Sequence, residues 1–453
     1  VFIVLFAVLA LRQIWLQVVV GPKLSANQYN PRHTAIAVGR GSILASDGTP
    51  LAITRGAKRT YPQGALVAQA VGYASARYGT SGLEDAYDRV LTAHTDAVDP
   101  LSQLAQILAG KRGAPRGADV VTTLDLTVQN ALVAGLSRHA RAAGIVLDPR
   151  TGAVLALASV PSYDPNTLDR LWPALVKDPA SPLLDRSTGG LYPPGSTFKI
   201  VTAADALDAG VVTPQSTFSD TGGFTIGNFT VHNDEEEVTG TQDLAGAFAL
   251  SSNVDFAQIA LKIGVDTWFQ YAEKWGLGLP EDFDVPVTRD RLPAKKDVYA
   301  GILAQLGFGQ ASLLVTPMRM ALIDATIAHD GTTPRPYLVR RIAGSETGIA
   351  TRPETLAQPI SADTAHAVRD LMVGVVKRGT GTAARLPDVT VAGKTGTATN
   401  PHGRSHAWFV AFAPAEAPRV AVAIVVENVG YGGTYAAPIA REVLRVALAR
   451  SRS

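Results

Sequence analysis

Beyond residue 137, strand-forming segments in this chain come in two groups, separated by about 230 residues between Ala158 and Val389. Residues 143–148 and 154–158 are short apolar runs joined by Asp148-Pro149-Arg150-Thr151-Gly152, and they read as a hairpin. Residues 389–399, 407–412 and 420–426 carry the same character far downstream. The intervening pattern is helical over 198–209 (closed by Gly210), 244–263 and 317–327, and a last helix is predicted from about 437 to 449. A sheet must therefore be assembled from distant pieces, with helices on its faces. The expected fold class is α/β (α+β).

The chain has 453 residues, enough for two or three domains, and 46% of them are apolar against 18% charged, which excludes a disordered polymer. A formal charge of +2 leaves no basic surplus for phosphates, so no nucleic-acid partner is expected. Cysteine is absent, which removes disulfides, thiolate metal sites and a thiol nucleophile. The eight His are scattered along the chain and no cysteine joins them, so neither a metal nor an organic cofactor is expected.

The first eleven residues are uninterruptedly apolar until Arg12, with Trp15 beyond. That is short of the roughly 20 residues needed to span hydrocarbon. Because the first residue is Val1, further apolar residues are expected upstream, with Arg12 and Trp15 near an interface. Residues 1–20 are accordingly expected to be an uncleaved single-pass membrane anchor, with the rest of the chain outside the cytoplasm. No convincing signal-peptidase site follows. Residues 21–137 read as a small mixed domain. It includes Ile43-Leu44 and Pro50-Leu51-Ala52 around an Asp47-Gly48 turn, a basic Pro/Gly-rich loop over 114–117, and a helix over 125–143 spaced by Val128, Leu132 and Leu136. Residues 138–453 form the larger domain.

Chemistry concentrates in three short motifs. Tyr192-Pro-Pro-Gly-Ser-Thr-Phe-Lys199 opens a helix near Ser196, which puts the Ser196 hydroxyl and the Lys199 amine on one helical face. A desolvated lysine can act as base for a serine nucleophile, and the unpaired N–H groups of a helix start suit an oxyanion. Alone, the pattern reads better as a capped helix with a surface lysine, because Ser-x-x-Lys is frequent by chance. Ser251-Ser252-Asn253, after an apolar helix, can aim a hydroxyl and an amide into a cleft, or be ordinary turn chemistry. Lys394-Thr395-Gly396-Thr397 lies inside a strand, where Gly396 is costly unless something approaches the backbone closely. An edge strand carrying a cation and two hydroxyls suits an extended peptide with a carboxylate. Arg378-Gly-Thr-Gly-Thr382 resembles this motif but sits among turn formers, and ranks second.

Ser-x-x-Lys, Ser-x-Asn and Lys-Thr-Gly in this order resemble the signature of penicillin-binding proteins and serine β-lactamases. The resemblance extends through Arg40-Gly-Ser-Ile-Leu, Tyr78-Gly-Thr-Ser-Gly-Leu-Glu, Leu147-Asp-Pro-Arg-Thr-Gly, Pro161-Ser-Tyr-Asp-Pro and Gly432-Gly-Thr-Tyr-Ala-Ala-Pro-Ile. Together these look like a class B penicillin-binding protein, most similar to the actinobacterial penicillin-binding protein A group. One departure is Ala45-Ser46, where that family usually carries an acidic or polar residue directly. The resemblance implies an antiparallel sheet flanked by helices, a small N-terminal pedestal, and D,D-transpeptidation of peptidoglycan stem peptides in wall synthesis. It implies Ser196 as nucleophile, Lys199 as base, Ser251 as proton relay and Asn253 holding a substrate amide. Lys394 would keep the site electropositive, Thr395 and Thr397 would receive the terminal carboxylate, and the Ser196 and Thr397 N–H groups would form the oxyanion hole. It further implies covalent inhibition by β-lactams, no cofactor, and a pedestal partner of the SEDS family of glycan polymerases (shape, elongation, division and sporulation).

A β-lactamase would lack the pedestal, and a bifunctional enzyme would need a further glycosyltransferase domain. A membrane-anchored β-lactam sensor or a non-catalytic division scaffold are the readings from other classes. Asp234-Glu-Glu-Glu237 is expected to be a solvated loop, and Trp268, Tyr271 and Trp275 to be core.

Overall fold

The computed structural model describes residues 39–56, 58–92, 116–343, 349–400 and 403–450, together with Arg12. Apart from Arg12, the anchor expected over 1–20 lies outside the described residues, as do residues 114 and 115 of the expected loop. Among the described residues no helix is long and apolar enough to cross a membrane.

Along the chain, the elements that place the site begin with β1 (Ile43–Leu44), β2 (Pro50–Arg55), β3 (Lys58–Thr60), β4 (Asp119–Thr122) and α1 (Leu126–Leu136). The hairpin β5 (Ala142–Leu147) and β6 (Val154–Val160) follows, then α2 (Lys199–Asp208). A small lobe holds β7 (Thr217–Asp220), β8 (Phe224–Ile226), β9 (Phe229–Val231) and β10 (Gly240–Asp243). After it come α3 (Leu244–Leu250), α4 (Asn253–Ile263), α5 (Pro317–Ala328), β11 (Val339–Ala343), β12 (Ile349–Ala350) and α6 (Ala362–Arg378). The chain closes with β13 (Ala392–Ala398), β14 (His406–Ala413), β15 (Val420–Val426) and α7 (Gly432–Arg450).

The two distant strand groups meet in one five-stranded antiparallel sheet of order β13-β14-β15-β5-β6. The central strand β15 is Val-Ala-Val-Ala-Ile-Val-Val, buried at every position, as a strand covered on both faces must be. Its period-two alternation sends Val420, Val422, Ile424 and Val426 to one apolar core with α1 and α7. Ala421, Ala423 and Val425 go to the other core, with α5 and the helices around the Ser196 segment. Trp268, Tyr271 and Trp275 are buried in that second core, as expected.

The Asp47-Gly48 turn joins β1 to β2, with Gly48 at φ +86° and the Asp47 carboxylate accepting from Thr49 N–H. These strands belong to a six-stranded sheet, β12-β11-β4-β1-β2-β3, in which β11 pairs antiparallel with β4. The sheet of the N-terminal region therefore draws two strands from far along the chain. Beside this sheet the buried Glu84 carboxylate accepts from Arg40 Nε (2.7 Å) and from Arg59 Nε (2.6 Å) on β3, so two of the quoted N-terminal motifs meet in one ion cluster.

Three local expectations differ. The helix expected over 125–143 stops at Leu136, because the chain must turn before β5 begins at Ala142. The helix over 244–263 is two helices, broken where Ser251 adopts a left-handed conformation (φ 64°, ψ 37°). The last helix, α7, begins at Gly432 rather than near 437, and the lobe β7–β10 fills the stretch between the helices expected over 198–209 and 244–263.

Candidate active site

Ser196 lies in a 3-10 turn, Gly195–Phe198, that runs directly into α2. At three residues per turn, positions i and i+3 eclipse, so the turn aligns Ser196 with Lys199 more closely than an α-helix would. The turn is clamped from both sides. Gly195 has φ +54°, its N–H donates to Gly309 O at 2.9 Å, and Thr197 Oγ1 donates to Pro194 O at 2.7 Å. Trp408 Nε1, from β14, donates to Pro193 O at 3.0 Å. Gly396 faces the turn so closely that a Cβ there would lie 2.9 Å from Thr197 Cγ2 and 3.0 Å from Pro194 O. This is the close approach that a glycine inside a strand signals.

Lys199 is fully buried. Its Nζ donates to Ser251 O (2.5 Å) and Asn253 Oδ1 (2.8 Å) and lies 3.2 Å from Ser251 Oγ. The left-handed kink at Ser251 turns that carbonyl and hydroxyl toward the lysine. Lys394, also fully buried, donates from Nζ to the same Ser251 Oγ at 2.8 Å. Burial, then the neighbouring Lys394, push the Lys199 amine well below its ordinary value, against the attraction of Asp234 and Asp255. Burial likewise lowers Lys394, to about 7, with Asp234 opposing. A neutral Lys199 has two N–H bonds and one lone pair. The two oxygens that can only accept, Ser251 O and Asn253 Oδ1, take the N–H bonds, which leaves the lone pair for a hydroxyl proton.

Lys394, Thr395, Gly396 and Thr397 sit on β13, the edge of the five-stranded sheet. Thr395 is buried and its Oγ1 shares a 2.5 Å hydrogen bond with Thr380 Oγ1, while Thr397 is half-buried. Ser196, Ser251, Thr395 and Thr397 line one cleft of about 490 Å³. Lys199, Asn253 and Lys394 lie directly behind it through the contacts above. All the motif residues singled out in the sequence thus converge.

Sequence reasoning missed several cleft residues. Thr380 and Thr382, from the second-ranked Arg378–Thr382 stretch, line the cleft, and the Thr-Gly-Thr echo was the available signal. The Asp234–Glu237 run is not simply a solvated loop. Asp234, Glu235 and Glu237 line the cleft, and Glu235 accepts from the Tyr431 hydroxyl at 2.7 Å across it. Nothing in its composition distinguishes this run from a surface acid cluster.

Comparison with known proteins agrees with this geometry. Residues 142–445 match the penicillin-binding protein transpeptidase domain, and residues 40–120 match the penicillin-binding protein A dimerisation domain. The chain is 36% identical over 418 residues to the peptidoglycan D,D-transpeptidase PbpA of Mycolicibacterium smegmatis, covering 86% of this chain and 84% of that one. It resembles the D,D-transpeptidase domain of a peptidoglycan glycosyltransferase from Eggerthella lenta with a TM-score of 0.82 and 36% identity, covering 91% and 98% of the two chains. It also resembles penicillin-binding protein A of M. tuberculosis in its penicillin G acyl-enzyme complex, with a TM-score of 0.82, 34% identity, and 91% and 100% coverage.

Proposed function

Since the chain belongs to the class B penicillin-binding proteins, we propose that it cross-links peptidoglycan stem peptides as a serine D,D-transpeptidase and that β-lactams acylate it at the same residue. The observation that carries this reading is the convergence of two buried lysines on Ser251 Oγ, beside the cleft that holds Ser196.

In the first half-reaction Ser196 Oγ attacks the carbonyl between the last two D-alanines while its proton passes to the Lys199 lone pair. The helix-start N–H of Ser196 and the N–H of Thr397 receive the oxyanion. Collapse of the tetrahedral adduct breaks the C–N bond, and the leaving amine takes a proton through Ser251 Oγ, which Lys394 and Lys199 both reach. Thr395 and Thr397 hold the terminal carboxylate, and the Asn253 amide holds the peptide backbone. In the second half-reaction an amine of a neighbouring strand displaces Ser196 and restores the enzyme. No step calls for a metal.

The apolar stretch before Arg12 supports a single-pass anchor with the catalytic domain outside the cytoplasm, where the substrate is. The N-terminal sheet then acts as a pedestal for a SEDS-family polymerase. Tethering polymerase to transpeptidase raises the effective concentration of nascent strand at Ser196.

The activity is tested with a thioester donor ending in a D-alanine analogue and a D-amino acid acceptor. Thiol release with formation of the acceptor adduct is expected. Thiol release that forms only hydrolysis product at every acceptor concentration would overturn transpeptidation in favour of carboxypeptidase chemistry.

A further inference from the structure

The Ser251–Asn253 turn is held by a segment that belongs to neither of its helices. Asn253 and Val254 are the first two residues of α4, and their N–H groups have no partner within the helix. Both donate to the same side-chain oxygen, Asn233 Oδ1, at 2.7 and 3.2 Å. Asp255 N–H donates to Ser252 Oγ at 3.0 Å, so the whole helix start is capped by side chains. Asn233 is itself pinned. Its Nδ2 donates to Asp220 Oδ2 at 2.5 Å and to Glu237 O at 2.8 Å. Asp220 is buried at the end of β7, and its Oδ2 also accepts from Thr239 N (2.9 Å) and Thr239 Oγ1 (2.8 Å), tying it to the chain just before β10. Burial alone would raise the Asp220 acid, but hydrogen bonds from Thr239, Gly222 and Asn233 outweigh it and keep the carboxylate ionised. From the other side, Asn253 Nδ2 donates to His232 O at 3.2 Å, which leaves Asn253 Oδ1 directed at Lys199.

We infer that Asn233, oriented by Asp220, is a positioning residue for acylation: it fixes the backbone of Asn253, and through it the carbonyl of Ser251 and the amide of Asn253 that hold the Lys199 amine. The small β7–β10 lobe is then part of the catalytic support. Ser251 occupies a left-handed conformation that a serine rarely adopts, and such a conformation persists only where surrounding contacts over-determine it. The two N–H bonds to Asn233 begin two residues after it. Asn253 Oδ1 and Ser251 O are the acceptors that leave the Lys199 lone pair free, so a shift of this turn misdirects the base without touching Ser196. The inference rests on the transpeptidase reading of the site, but it concerns a residue outside the three motifs.

The test is stopped-flow acylation by a fluorescent penicillin, which separates the reversible binding constant from the acylation rate constant. It is applied to the wild type, to Asn233→Ala, to Asp220→Ala and to Asp220→Asn. Asn233→Ala is expected to lower the acylation rate constant by about 10²-fold, the scale of a 1 Å misplacement, with reversible affinity little changed. Asp220→Ala removes the acceptor that orients Asn233 and is expected to lower the rate in the same way, whereas Asp220→Asn keeps an amide oxygen that can accept from Asn233 Nδ2 and Thr239 and is expected to retain more of the rate. Should Asn233→Ala fail to fold, the comparison of Asp220→Ala with Asp220→Asn carries the test. An Asn233→Ala protein that melts cooperatively and acylates at the wild-type rate would overturn the inference, as would a cooperatively melting Asp220→Ala protein that acylates as fast as Asp220→Asn. A wild type that forms no penicillin adduct would instead refute the transpeptidase reading, so the two failures are distinguishable.

Discussion

The amines of Lys199 and Lys394 converge on one hydroxyl oxygen, Ser251 Oγ, at 3.2 and 2.8 Å. Both side chains are fully buried. Two ammonium groups around one small acceptor, out of water, repel one another and lose the solvation that would sustain both charges. The lysine nearer the Ser-x-x-Lys turn is driven well below its ordinary value, and its partner to about 7. The arrangement makes a neutral base available near neutral pH, at the cost of two buried titratable amines.

The first prediction is a pH profile. Acylation is expected to rise with pH as Lys199, held well below its ordinary value, loses its proton, while Lys394 titrates at about 7. Asp234 attracts protons to both lysines and Asp255 to Lys199. Asp234→Asn should therefore shift the acid limb of the acylation rate to lower pH. The rate constant for a chromogenic β-lactam, followed across the acid and neutral range, checks this; an unmoved limb would count against the electrostatic account.

Stability should respond to the same lysines, and in the same direction. Lys394 is near 7 when folded and 10.5 when exposed, so between these values the unfolded chain binds more protons than the folded one. Stability is therefore expected to rise as pH climbs from about 7 toward 10.5. Lys394→Met should flatten that rise and stabilise the protein at neutral pH, by about 1–4 kcal/mol on the scale of apolar replacements of buried charges. Acylation should be lost in the same variant. Chemical denaturation at several pH values measures both effects on folding.

Removing the base itself should be a rate effect. Lys199→Ala is expected to slow acylation by about 10²–10⁴-fold, the usual contribution of general acid–base catalysis, and to change reversible affinity far less. A loss confined to affinity would make Lys199 merely structural.

Gly396→Ala tests the contact between strand and turn. The new methyl would press on Thr197 Cγ2 and Pro194 O, neither of which can yield without moving Ser196. A fall in acylation of about 10²-fold is expected, from misplacement of the nucleophile against the edge strand. Wild-type rates would show that the strand can retreat without consequence.

Much of this was legible in the sequence because period-two burial and turn residues are local signals. The sheet followed from 143–158 and 389–426 alone, and the three motifs could be placed on a helix start, a turn and a strand. The lobe β7–β10 was not legible: Thr217–Asp220 and Gly240–Asp243 are short, mostly polar strands whose apolar content is too low to reveal a period. Asn233 and Asp220 were invisible for a related reason, since a buried asparagine within a polar loop reads as turn chemistry until its partner across the lobe is known. The left-handed Ser251 left no trace either, because Ser-Ser-Asn is an ordinary sequence for a helix break. The N-terminal sheet hid its composition through distance. The pairing of β11 with β4 crosses more than 200 residues, so a cut at residue 137 would leave β11 without its neighbour.

The central claim is that Ser196 is the residue acylated, and intact-mass spectrometry after penicillin treatment, followed by peptide mapping, tests it most directly. One equivalent of penicillin should be retained by the wild type on the peptide carrying Ser196, and none by a folded Ser196→Ala variant. Retention of label by the alanine variant, or its location on Ser251, would contradict the assignment of Ser196 as nucleophile.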